Sequence, residues 1–215
     1  MLDDAARQCP EGIALICGNE QLTYRQYAAC VAGMAEQLRQ AGLGVGERVV
    51  LFMSNSVDIA IATYAVQAAG AQVVPLNPAY TASELNQVLD NAAARGIVYD
   101  ESAHAVVSSA LHRFDASYRI GDAEGSQRLH RWKAQPEYAD KLLLPDPESL
   151  STLQYTGGTT GVPKGVSLSH RAVAINVSQR EALVPTRPEA ERVLDVVEDF
   201  KPTVLFGLPT LYTAL

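Results

Sequence analysis

The 215-residue sequence predicts an α/β fold of mostly parallel strands flanked by helices. Three observations predict it. Short apolar runs alternate with longer stretches of helical periodicity through the first half of the chain. Those runs are apolar throughout rather than alternating in polarity, as expected for strands buried on both faces beneath crossover helices. The composition, 47% hydrophobic and 19% charged, is enough for a substantial core and does not suit a disordered chain. Crossovers between such strands should be right-handed.

The elements follow in order. Residues 23–41 read as an amphipathic helix, since Tyr24, Tyr27, Val31, Met34, Leu38 and Ala41 step by three or four and share one face. Thr23 with Gln26 forms a capping box at its start, and Gly42 supplies a stop. Residues 48–53 (RVVLFM) are short and apolar, hence an interior strand. Residues 58–69 are apolar nearly all round, hence a buried helix. A second strand falls at 71–76 (AQVVPL). Thr81 and Glu84 form another capping box, opening a helix that turns Leu85, Val88, Leu89 and Ala92 inward. A third strand is 96–99 (GIVY). The signal then weakens: 103–111 reads as a helix, 118–121 as a short strand, and the polar stretch 122–147 as surface loop or linker. Residues 150–155 (LSTLQY) read as a strand entering a glycine-rich loop, 165–169 as a strand leaving it, and 171–183 as a helix. Beyond these, 188–200 reads as a helix, 203–207 as a strand, and Pro209 opens a last helix.

Composition narrows the function. A net charge of −7 disfavours nucleic acid as the main partner. Cys9, Cys17 and Cys30 are odd in number and lack a CxxC pair, so they read as buried or half-buried free thiols in a reducing cytoplasm. The N-terminus is no signal peptide. Residues 59–83 carry no charge but are broken by polar residues and prolines, so no transmembrane segment is expected. His104, His112, His130 and His170 lack metal-ligand spacing and read as surface or capping residues. Asp195, Glu198 and Asp199 read as a solvated helix face.

The chemistry lies in residues 156–165, TGGTTGVPKG. Glycine lets the backbone approach an anion, and successive N–H groups form an anion-binding nest. Thr156, Thr159 and Thr160 add hydroxyl donors, Lys164 adds a charge, and Pro163 stiffens the exit. Glycines, hydroxyls and a lysine between two strand-like runs point to phosphate binding. The run does not fit GxxxxGK[ST]: Lys164 is six residues after Gly158, but Pro163 precedes it and Gly165 follows it.

The run 153–169 (LQYTGGTTGVPKGVSLS) with His170 resembles the signature of the acyl-CoA synthetase, luciferase and peptide-synthetase adenylation-domain superfamily. Residues 21–24, 46–56, 68–78 and 81–85 are similar to the N-terminal half of these enzymes in order and spacing. The TGG form is more like bacterial fatty-acyl-CoA ligases. The resemblance implies a two-step ligase using ATP with Mg²⁺ and then coenzyme A on a carboxylic acid. Fatty acid is the first expectation, aryl acid the second and amino acid the third. It implies that Thr156, Gly157, Gly158, Thr159, Thr160, Gly161 and Lys164 hold the ATP phosphates. Gly207, Pro209 and Thr210 resemble a turn near the acyl pocket and read equally as a plain strand-to-helix turn. The family's aromatic-Gly-x-Thr-Glu and Thr-Gly-Asp segments are not found in the sequence. Residues 1–215 are therefore expected to form a partial N-terminal domain without the C-terminal domain, with no complete catalytic set. Residues 188–200 are one helix or, by the resemblance, two segments joined between Leu194 and Asp195. The chain alone is expected to be inactive, and a non-catalytic binding module is the reading from another class.

Overall fold

A computed structural model describes residues 2–156 and 163–183. The chain opens with α1 (Leu2–Gln8) and a hairpin of β1 (Ile13–Cys17) and β2 (Glu20–Thr23). Then come α2 (Tyr24–Gln40), β3 (Arg48–Phe52), α3 (Val57–Ala68), β4 (Gln72–Pro75), α4 (Ala82–Ala92) and β5 (Gly96–Asp100). The rest is α5 (His104–Val107), β6 (Ala116–Ile120), β7 (Leu150–Thr156), β8 (Lys164–Ser169) and α6 (His170–Leu183). Strands β6, β5, β3, β4 and β7 pair side by side in parallel, and β8 closes one edge antiparallel to β7.

The continuous apolar strands are explained by burial on both faces. Val49, Leu51, Val73 and Val98 point into a core with α2 and α3, while Val50, Phe52, Val74, Ile97 and Tyr99 point into another with α4. Successive side chains of a strand alternate between faces, so each interior strand needs apolar residues at every position. Tyr27 ties α2 to α3, its hydroxyl donating to the Ala60 carbonyl at 3.0 Å.

Helix ends form where the capping signals place them. At Thr23/Gln26 and at Thr81/Glu84 both halves of the reciprocal box are present. Helix α2 stops in a Schellman turn: Gly42 takes φ +77°, its N–H donates to the Arg39 carbonyl, and the Leu43 N–H donates to that of Leu38. In α3 the Ser56 hydroxyl accepts from the Ile59 N–H at 3.2 Å.

Several expectations are corrected. The stretch 122–147 is not a loose surface linker: it holds 3₁₀ segments Leu129–Ala134 and Pro136–Lys141, and Leu129 and Trp132 are buried in the α2–α3 core. The indole lies directly against Gly33 of α2, where a Cβ would sit 2.5 Å from the ring. The expected helix at 103–111 is one α-turn between 3₁₀ segments. Of the thiols only Cys30 is buried; Cys9 and Cys17 are exposed. The hairpin β1–β2 was not anticipated. Residues 188–200, 203–207 and the last helix lie outside the described residues. Among the described residues, no helix is long and apolar enough to cross a membrane.

Candidate functional site

The helix after β3 packs on one face of the sheet and the helix after β4 on the other. In open α/β sheets that reversal makes a crevice at the carboxyl ends of the strands, the usual place for a ligand. Strand β7 lies beside β4, parallel to it, with Val73 opposite Thr152, so its carboxyl end opens at that same edge. The glycine-rich run leaves from there.

The two ends of the run are joined. Thr156 pairs with Lys164 as the last rung of the β7–β8 ladder, and the Thr156 hydroxyl donates to the Lys164 carbonyl at 3.4 Å. Both residues are exposed, and Lys164 makes no ion pair with the described residues. Gly157, Gly158, Thr159, Thr160 and Gly161 lie outside the described residues, as do Gly207, Pro209 and Thr210.

Below the rim the stem is packed. Tyr155, 7% exposed, sits in the α4-side core beside Leu153. Its hydroxyl donates to Asn91 Oδ1 at 2.7 Å. Burial pushes the Tyr155 phenol upward, so it is a donor at neutral pH. Opposite it on β8, Gly165 leaves no room: a Cβ there would lie 2.9 Å from Leu153 Cδ1 and 3.3 Å from Tyr155 Cζ. Deeper in the sheet the Gln67 amide donates to Ser151 Oγ at 2.8 Å and the Gln72 amide to Ser167 Oγ at 3.3 Å. The Asn91 and Gln67 contacts were not visible in the sequence. At the start of α6 the cap is Ser169, whose hydroxyl accepts from the Ala172 N–H at 3.2 Å; His170 is the first helical residue, one place on from the expected cap.

A second polar cluster was also missed. Asp58, 2% exposed in the first turn of α3, accepts from the Leu129 N–H at 2.9 Å and from Arg128 Nη1 at 3.4 Å. Burial raises its carboxyl above the usual value, opposed by His130, the Leu129 N–H and Arg128. His130 is half-buried rather than a surface residue or a cap: its Nδ1 is buried without a hydrogen bond, 3.7 Å from Asp58 Oδ1 and 3.8 Å from Glu20 Oε1. Among the described residues no group of three or more His, Cys, Asp or Glu is placed to hold a metal ion.

A family model described as "AMP-binding enzyme" matches residues 2–184. The long-chain-fatty-acid–CoA ligase of Yersinia pestis is 33% identical over 213 residues, covering 85% of this chain and 38% of that protein. Surfactin synthase subunit 2 of Bacillus subtilis is 29% identical over 194 residues, covering 88% of this chain and 5% of that protein. Among solved structures, a long-chain-fatty-acid–CoA ligase from Archaeoglobus fulgidus superposes with a TM-score of 0.71 at 26% identity, covering 83% of this chain and 37% of that one. The chain thus spans little more than a third of the CoA ligases it matches, and a few per cent of the multi-module synthetases.

Proposed function

This chain belongs to the AMP-binding enzyme family, whose members form adenylates, and from that premise we propose that it supplies the ATP-phosphate loop of an acid–thiol ligase. On this reading residues 1–215 are the N-terminal part of the ligase's large domain. Its substrates are a carboxylic acid, ATP with Mg²⁺, and coenzyme A. A carboxylate oxygen attacks the α-phosphorus, the bond to the bridging oxygen of the β-phosphate breaks, and pyrophosphate leaves. The coenzyme A thiolate then attacks the acyl carbon, a thioester forms, and AMP departs. The first step chiefly needs charge stabilised on the leaving phosphates, which N–H donors and a cation held in place provide.

The observation that carries the reading is the closed Thr156–Lys164 rung at the carboxyl edge, with seven residues between its ends. That rung brings Thr156 and Lys164, the two ends of the glycine-rich run, to one place. Thr156, Gly157, Gly158, Thr159, Thr160, Gly161 and Lys164 are the residues assigned to the phosphates. Gly207, Pro209 and Thr210 are assigned to the vicinity of the acyl pocket. Fatty acid is favoured by the two CoA-ligase relatives named above. The surfactin synthase match keeps an amino acid as the alternative.

The test is pyrophosphate-forming turnover with ATP and a panel of fatty, aryl and amino acids, in the complete reading frame that contains this chain. Lys164→Ala is expected to lower the rate about 100-fold, the scale for removing one charge-stabilising donor. Thr160→Val should give a smaller loss. Unchanged rates in both refute the loop assignment. The 215-residue chain by itself should form no thioester and release no pyrophosphate; release of pyrophosphate by the purified chain would refute that part of the reading.

A further inference from the structure

The residue beside the rim of the hairpin, Tyr155, is tied to a helix far away in sequence. Tyr155 precedes Thr156, and Thr156 faces Lys164 across the last rung. The Tyr155 ring is buried against Leu153, Gly165 opposite it lacks a side chain, and a Cβ at Gly165 would press on both. The ring therefore closes over the backbone of the residue next to Lys164. Its hydroxyl ends on Asn91 Oδ1, 2.7 Å away in the last turn of α4. Asn91 is exposed, so apolar packing does not account for an amide there. Its contact with Tyr155 is its one side-chain hydrogen bond among the described residues. The neighbouring residue Ala92 is buried, and its carbonyl accepts from Arg48 Nη1 at 2.8 Å, which fixes this end of α4 to the start of β3.

We infer that Asn91 is a positioning residue: through the Tyr155 hydroxyl, α4 sets where the β7–β8 stem leaves the sheet and so where Lys164 stands relative to a nucleotide's phosphates. This rests on the phosphate-loop reading proposed above. It goes further in naming α4, an element with no residue in the glycine-rich run, as the support of that run. The acceptor is an amide oxygen, so a carboxylate at the same place should serve and a methyl group should not.

The test compares Asn91→Ala, Tyr155→Phe, the double variant and Asn91→Asp with the unaltered sequence, all in the complete reading frame that contains this chain. Two quantities are measured: MgATP affinity by calorimetry and amide hydrogen exchange at residues 164–166. Each single variant is expected to weaken MgATP about 5-fold, the scale of one lost neutral hydrogen bond. Exchange at 164–166 should quicken while the amides of β3 and β5 stay as protected as before. The double variant should be no weaker than either single one, because both remove the same bond. Asn91→Asp should bind within about twofold of the unaltered chain, since the acceptor oxygen remains. Unchanged affinity and exchange in Asn91→Ala would overturn the inference, as would additive losses in the double variant. Faster exchange throughout the fold, including β3 and β5, in parallel with weaker binding would also overturn it, marking Asn91 as merely structural. No MgATP binding by the unaltered complete protein would remove the phosphate-loop reading and this inference together, whereas normal binding in Asn91→Ala removes only the inference.

Discussion

Gly33→Ala should destabilise this protein although it adds helix propensity. In a helix interior, alanine is favoured over glycine by about 1 kcal/mol. Gly33, however, lies in α2 directly beneath Trp132, and the new Cβ would stand 2.5 to 2.6 Å from three atoms of the indole. Carbon atoms in contact prefer roughly 3.5–4.0 Å, so the ring must move by about 1 Å. It has little room: the indole is 7% exposed, and the Arg131 guanidinium lies 4.1 Å from its centre. Overpacking of this kind costs about 1–3 kcal/mol, which leaves a net loss of about 1 kcal/mol after the propensity gain. Removing the ring removes the clash. In a Trp132→Ala background, itself costing about 3 kcal/mol, Gly33→Ala should therefore stabilise by about 1 kcal/mol. The sign reverses, and the coupling between the two sites is about 2 kcal/mol. Urea unfolding of all four proteins, followed by far-ultraviolet circular dichroism, measures it. Trp132 is the only tryptophan, so its fluorescence independently reports whether the ring leaves an apolar site in the two proteins that retain it. Equal stabilisation by Gly33→Ala in both backgrounds would show that the indole does not sit on α2, and that the stretch after β6 is the surface linker its polarity suggests.

Two further outcomes concern buried groups on the same side of the sheet. Burial raises the Asp58 carboxyl above its usual 3.8. A raised folded-state pKa means that the contribution of this group is fully present below the unfolded value and is lost as pH rises through the folded one, so charged Asp58 costs stability near neutrality. Asp58→Asn keeps an oxygen for the Leu129 N–H and removes that charge. The stability of the unaltered protein relative to the variant should therefore fall from about pH 4 to about pH 7; urea titrations showing a rise would refute the assignment. The Cys30 thiol is pushed up to about 12, first by burial and then by Asp58, whereas Cys9 and Cys17 are exposed. Maleimide at neutral pH should label two thiols in the native protein and the third only in denaturant, because the thiolate is the reacting form. Labelling of all three at one rate would contradict the burial of Cys30.

What was legible in the sequence is what local chemistry determines. Strands β3, β4 and β5 show as apolar runs because both of their faces are covered, and α2 and α4 announce themselves by period and by reciprocal caps. The hairpin β1–β2 is also written locally, as the short apolar run Ile13–Cys17 before a two-residue Gly18-Asn19 turn. Trp132 and Leu129 were not legible in this way. They are isolated apolar residues in a polar stretch, and their burial depends on a bare glycine and a carboxylate on two other helices. His130 follows the same rule: it reads as a surface or capping residue because nothing nearby in sequence reveals Asp58 or Glu20.

The glycine-rich run needs a finer division than its composition suggests. Counted by type, 156–165 offers four glycines, three hydroxyls and a lysine to an anion. Geometry removes one glycine from that count, because Gly165 is required small by Leu153 and Tyr155 on the neighbouring strand, whatever binds above. It gives one hydroxyl a second task, because the Thr156 hydroxyl already donates to the Lys164 carbonyl at the rung. A motif of this kind is therefore two overlapping requirements. Its outer residues build a stem whose backbone must close and whose Gly165 must stay small, while the exposed side chain of Lys164 on that same stem is available to a ligand. A substitution at Gly165 would then read as loss of nucleotide binding while acting on packing, and only a substitution such as Lys164→Ala, which leaves the backbone rung intact, separates the two.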